Sequence, residues 1–255
     1  MPGVSSHFDH TLGRLVMGQQ VLNLGYSSEH GFVPLDSEIF ISNVKAQGLH
    51  EDFQDGRSIV GKRYLQAQQL TKPQMAKSMK ARAIREGIKV DFLLADAWFG
   101  TKAMLRSTEE LSLTAIVRMK KGKLKYRLTT YKNEKEVVQD LDLKELYKKT
   151  VRKKWQKISG QPYQCKVLDV QLNLASSEKE PAQWRNVRLL FVRGNTELEK
   201  QDTGKHDWAV FLCTDINLEA TKDLEIYALR WAVEAYFKES KQHLGGCLTT
   251  IASNI

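Results

Sequence analysis

Tyr227, Arg230, Glu234 and Lys241 follow one another at spacings of three, four and seven residues. If the stretch is one helix, about 100° per residue puts all four within an arc of about 60°. A carboxylate between an arginine and a lysine on one face can hold a divalent metal ion while the cations grip phosphates on either side. The same spacing also suits a solvated charged stripe in which Arg230 pairs with Glu234. Ile226, Leu229, Val233, Tyr236, Phe237 and Leu244 fill the neighbouring arc, so that side is expected to bury against a core.

A second acid lies far upstream. Val90–Ala95 (VDFLLA) is a short apolar run of the buried parallel-strand type, and it ends at Asp96. An acid just past the carboxyl end of such a strand is where open sheets place their chemistry. The bland alternative is that Asp96 caps a helix over Thr101–Glu110. His7, Asp9 and His10 could in principle bind a metal, but a compact cluster with no fourth ligand favours loop hydrogen bonding. Lys120–Arg127 (KKGKLKYR) is densely basic, and Lys144–Lys157 is basic again with Tyr147 and Trp155 interleaved. These runs read either as phosphate contacts or as a solvated surface with Trp155 and Trp184 in a core.

The elements that must position these residues follow from periodicity and turn signals. Gln19–Tyr26 and Phe32–Ser42 are expected strands around a turn at Ser27–Gly31, with Pro34 marking a bend or bulge. Residues 47–72 read as a loop with a short helix, and residues 1–18 show little periodicity. Pro73–Glu86 has proline near its first turn and Gly87 just past its end, the pattern of a helix. Leu113–Arg118, Cys165–Leu174, Trp184–Arg193 and Trp208–Thr214 are further expected strands, and Asp215 or Thr221 can cap the helix that carries Glu234.

The pattern Tyr-x2-Arg-x3-Glu-x6-Lys resembles, residue for residue, the signature of the DDE transposases of the insertion sequence four family. Leu94–Gly100 (LADAWFG) is similar to that family's second-acid motif, and His7–Thr11 (HFDHT) is similar to a stretch just after its first catalytic strand. The resemblance implies that Asp96 and Glu234 are the second and third acids of an Asp-Asp-Glu triad. It implies two Mg2+ or Mn2+ ions, with Tyr227, Arg230 and Lys241 at phosphates and Lys120, Lys121 and Lys123 among the DNA contacts. Asp9 is not the triad acid by this comparison.

The implied fold is α/β, a ribonuclease H-like mixed sheet with flanking helices, interrupted by a mostly β insertion. Residues 1–118 and 208–255 are expected to form the two parts of the core, with 119–207 as the basic insertion. The first acid and first core strand are expected to lie upstream of this sequence, as in an N-terminally truncated copy that needs a homodimer or an intact transposase for support. The implied function is metal-dependent cleavage and strand transfer at insertion-sequence ends. A non-catalytic DNA-binding remnant and an unrelated basic RNA- or DNA-binding protein remain as alternatives.

With 255 residues and 42% hydrophobic content, the chain can bury a substantial core. Its net charge of +9 favours a polyanionic partner, nucleic acid ahead of an anionic membrane surface. Cys165, Cys213 and Cys247 are odd in number and widely spaced, which indicates neither a disulfide framework nor a zinc site and fits a reducing cytoplasm. No apolar run reaches the roughly 18 residues of a membrane span, so a cytoplasmic protein is expected.

Overall fold

In a computed structural model, residues 5–9, 13–18, 20–41, 57–150, 154–158, 161, 163–194, 208–243 and 253–254 are described. They fall into two units, Met1–Lys89 with Leu229–Ile255, and Val90–Ala228.

The first unit opens on a hairpin that periodicity does not reveal: β1 (Ser5–Asp9) pairs antiparallel with β2 (Arg14–Gly18). Then β3 (Gln20–Ser28) and β4 (Gly31–Phe40) form the expected antiparallel pair, turning at Glu29–His30. A bulge between Leu24 and Gly25 falls opposite Pro34, which has no N–H to give to a ladder. Helix α1 (Ile59–Gln69) is capped by Ser58, whose hydroxyl accepts from the Gly61 N–H at 2.9 Å. Helix α2 (Lys72–Arg85) begins at a capping box of Thr71 and Gln74 and buries Met75, Ala76 and Met79. Arg82 returns to β4 and pairs with Asp36 at 2.6 Å and with Glu38, which gives Asp36 a structural partner.

The second unit is built on one sheet. β5 (Phe92–Ala95) runs parallel to β6 (Thr114–Arg118), and α3 (Lys102–Glu109) connects them. The hairpin β7 (Tyr126–Lys132) and β8 (Lys135–Leu141) follows, then α4 (Leu143–Thr150) and the short β9 (Gln156–Lys157). The long strands β10 (Tyr163–Asn173) and β11 (Trp184–Gly194) pair antiparallel, and β12 (Trp208–Cys213) lies between β11 and β6. The strand order is β5-β6-β12-β11-β10-β7-β8, with β9 beside β10. Ala115, Ile116, Val117, Leu189, Leu190, Phe191, Val210 and Leu212 are buried at its centre, the near-continuous apolar runs expected of strands covered on both faces. Helix α5 (Ala220–Ala228) completes this unit, and Tyr227 packs with Ile116 and Cys213.

The chain then returns to the first unit with α6 (Trp231–His243), whose Tyr236 ring stands 5.3 Å from that of Phe32, and with β13 (Ser253–Asn254), parallel to β3. The expectation of one helix across Tyr227–Lys241 is therefore corrected: a turn at Leu229–Arg230 separates α5 from α6. The Leu229 carbonyl accepts from the Ser27 hydroxyl at 2.8 Å, and the Val233 N–H donates to Arg230 rather than four residues back to Leu229. The fold is α/β with a mixed sheet, as in a ribonuclease H-like nuclease domain. No helix among the described residues is long and apolar enough to cross a membrane.

Candidate functional site

Asp96 follows the last residue of β5, at the carboxyl end of the parallel pair β5–β6 in the sheet of the second unit. It does not cap α3. That role belongs to Thr101, whose hydroxyl accepts from the Met104 N–H at 3.3 Å. Instead Oδ1 of Asp96 accepts from the backbone N–H of Trp98 at 2.8 Å and, at 3.4 Å, from that of Phe99. This local turn fixes the carboxyl group against its own backbone. Among the described residues Oδ2 of Asp96 has no hydrogen-bond partner and the side chain is only partly buried, so this oxygen can meet a ligand.

The turn from β5 into α3 is anchored from beneath. Phe99 is fully buried, and a Cβ on Gly100 would lie 2.6 Å from the Arg118 carbonyl oxygen and 2.9 Å from Sδ of Met119. Only glycine lets the turn settle so closely on the end of β6. Lys120 follows the carboxyl end of β6, which lies beside that of β5 because the two strands are parallel, Ala95 beside Val117.

Tyr227, placed by its spacing on a phosphate-facing stripe, is 8% exposed, and its hydroxyl donates to the carbonyl of Ala95 at 3.3 Å. Its ring meets Phe211 edge-on with centroids 4.7 Å apart. It supports the end of β5 from the core side.

In the first unit Arg230 and Glu234 form the i,i+4 pair, Nη2 to Oε1 at 2.7 Å, with the arginine side chain 12% and the carboxylate 40% exposed. Lys241 belongs to α6, and its side chain lies outside the described residues. Lys120 and Lys123 are exposed, while Lys121 lies over the Trp208 ring at 4.2 Å. His7 and Asp9 are on β1, and His10 falls outside the described residues. Among the described residues no three His, Cys, Asp or Glu side chains cluster as a metal site.

The structure adds an acid that spacing alone passes over. Asp223, on α5, is 1% exposed, and among the described residues neither carboxylate oxygen has a hydrogen-bond partner. Burial pushes its pKa up to about 6, against the pull first of the neighbouring Cys213 thiol and then of Arg188, whose own hydrogen bonds go to Asp169 and the Leu218 carbonyl. The Cys213 thiol is pushed upward in turn, first by burial and then by the Asp223 charge.

No curated protein matches the sequence. The family model of the DDE superfamily endonucleases matches residues 1–187, a span that contains Asp96 and its turn and ends before Tyr227. With that match over most of its 255 residues, the chain belongs to the DDE superfamily endonuclease family.

Proposed function

We propose that this protein is a transposase of the insertion sequence four type that cleaves DNA phosphodiester bonds with a divalent metal ion, with Asp96 and Glu234 among its acids. The observation that carries the reading is the Asp96 carboxyl group at the end of β5, one oxygen locked by the Trp98 N–H and the other open. Carboxylate oxygens without sulfur or imidazole are the donor set of Mg2+ or Mn2+, and Asp96 fits that role.

A bound divalent cation supplies positive charge beside the attacked phosphate. The chain's own residues do the positioning. The backbone of Trp98 and Phe99 sets the direction of the Asp96 carboxylate, and the Tyr227 hydroxyl holds the Ala95 carbonyl just before it. Arg230 keeps a guanidinium beside Glu234 and orients that carboxylate. Lys120, Lys121, Lys123 and Lys241 are the cations that hold DNA phosphates, and the partner is insertion-sequence DNA, engaged by one copy or by a pair of copies.

The test is nicking of supercoiled DNA by the purified protein in Mg2+ or Mn2+, beside Asp96→Ala and Glu234→Ala. Metal-dependent nicking that both substitutions abolish supports the reading. DNA binding with no nicking at any metal concentration would replace it with that of a non-catalytic DNA-binding protein.

A further inference from the structure

Asp223 and Tyr227 are the buried residues of α5, and neighbours four apart on a helix face the same way. Both therefore press on the sheet beneath. There Leu94, Ile116, Cys213, Arg188 and Asp169 stand in one row across five strands, each directly opposite the next. Residues paired in this way project from the same face. The apolar end of the row, Leu94, Ile116 and Cys213, packs with Tyr227, and Asp223 lies over the polar end beside the Cys213 thiol.

The polar end is not balanced. Among the described residues neither oxygen of Asp223 has a hydrogen-bond partner, although the side chain is buried. The cation that faces it is Arg188, 15% exposed, whose Nε and Nη2 reach Asp169 at 2.9 and 3.3 Å. Nη1 of Arg188 donates to the Leu218 carbonyl, just ahead of α5. Asp215, past the end of β12, is the other acid within range, and its Oδ1 accepts from the Asn217 N–H at 2.9 Å.

This arrangement suits a protonated Asp223. An ionised one would be a buried charge without a partner, which costs far more than an exposed ion pair contributes. Asp169 is 51% exposed and water can replace the guanidinium there, so the ionised Asp223 outcompetes it for Arg188. Moving the guanidinium also frees the Leu218 carbonyl. That carbonyl leads into the helix whose last turn holds the Ala95 carbonyl through the Tyr227 hydroxyl.

We propose that Asp223 is a positioning residue for Asp96: its protonated carboxyl group lets α5 seat with Tyr227 on Ala95, and its ionisation draws Arg188 off the Leu218 carbonyl and loosens that hold. The inference rests on the phosphodiesterase reading of Asp96 for its bearing on cleavage, but not for its measurement.

Ala95–Asp96 is the one Ala-Asp step in the sequence, so ¹³C-carbonyl alanine with ¹⁵N aspartate singles out the Ala95 carbonyl by NMR. In the wild-type protein its resonance is expected to move with a midpoint of about 6 as pH is raised. Asp223→Asn should hold it at the low-pH wild-type position throughout, and Tyr227→Phe should remove the step by cutting the link. The ratio of the Asp223→Asn nicking rate to that of wild type should rise up to about tenfold across the same pH range. An Ala95 resonance that stays still in the wild-type protein would overturn the proposal, and that outcome needs no variant to fold. A step of equal size in Asp223→Asn would overturn it too. An Ala95 step at the Asp223 midpoint, in a protein whose nicking survives Asp96→Ala, leaves the coupling standing and removes only the cleavage reading.

Discussion

The hydroxyl of Tyr227 donates to the carbonyl oxygen of Ala95, so the last turn of α5 holds the residue immediately before Asp96. The bond is 3.3 Å long and buried, and the ring that carries it is wedged against Phe211 in the core. Tyr227→Phe keeps the ring and removes only the hydroxyl. The expected stability loss in urea unfolding is about 1 kcal/mol. Nicking should fall in kcat while the Kd for DNA holds, the split expected of a positioning residue. An unchanged kcat would assign Tyr227 to packing alone.

Gly100 is set against the end of β6 so closely that a methyl group has no room, with the Arg118 carbonyl at 2.6 Å from the added carbon. A backbone oxygen cannot swing aside as a side chain does. Gly100→Ala is therefore expected to cost about 1–3 kcal/mol and to lower the melting temperature. It should also displace the Asp96 turn, so nicking falls even where the protein is still folded.

Asp223 makes stability depend on pH with a defined sign. Its carboxyl group titrates at about 6 in the folded protein against an ordinary value of 3.8, because burial disfavours the charged form. The folded state therefore holds its proton more tightly, and this contribution is present below pH 3.8 and is lost as pH rises through about 6. The Asn substitution abolishes the titration. The unfolding free energy of Asp223→Asn minus that of wild type should rise by about 3 kcal/mol between those values and then stay level. A flat difference across the window would show that Asp223 is solvated or paired.

Glu234 is 40% exposed and paired with Arg230 four residues before it. Pairs of this kind contribute little, so Glu234→Gln should change stability by less than about 0.5 kcal/mol. Metal-dependent nicking should nonetheless fall by roughly 10⁴-fold. Loss of folding in parallel with activity would reassign the glutamate to structure.

Lys120 and Lys123 are exposed on the segment that follows β6. Removing one phosphate-binding cation should lower the slope of log affinity against log salt by about 1. Filter binding of Lys123→Gln across a salt series, with sequence preference unchanged, is the measurement. An unaltered slope would place Lys123 away from DNA.

The sequence alone determined the local elements wherever one rule dominated. Apolar runs bounded by turn residues marked β5, β6, β10, β11 and β12 to within a residue or two, and Pro73 with Gly87 bracketed α2. It failed where the signal was weak or spread across the chain. The hairpin β1–β2 has no apolar alternation, yet its strands pair through backbone hydrogen bonds that composition does not encode. Spacing placed Arg230 and Glu234 within reach of one another, because neighbours four apart on a helix meet whatever surrounds them. Tertiary structure decided the rest. The Ser27 hydroxyl takes the Leu229 carbonyl, the helix breaks there, and Tyr227 turns into the core instead of joining the charged stripe. Asp223 owes its raised pKa to burial on the β12 side of α5, and Gly100 owes its necessity to the Arg118 carbonyl beneath it. Both are properties of packing between segments distant in sequence, to which residue spacing is blind.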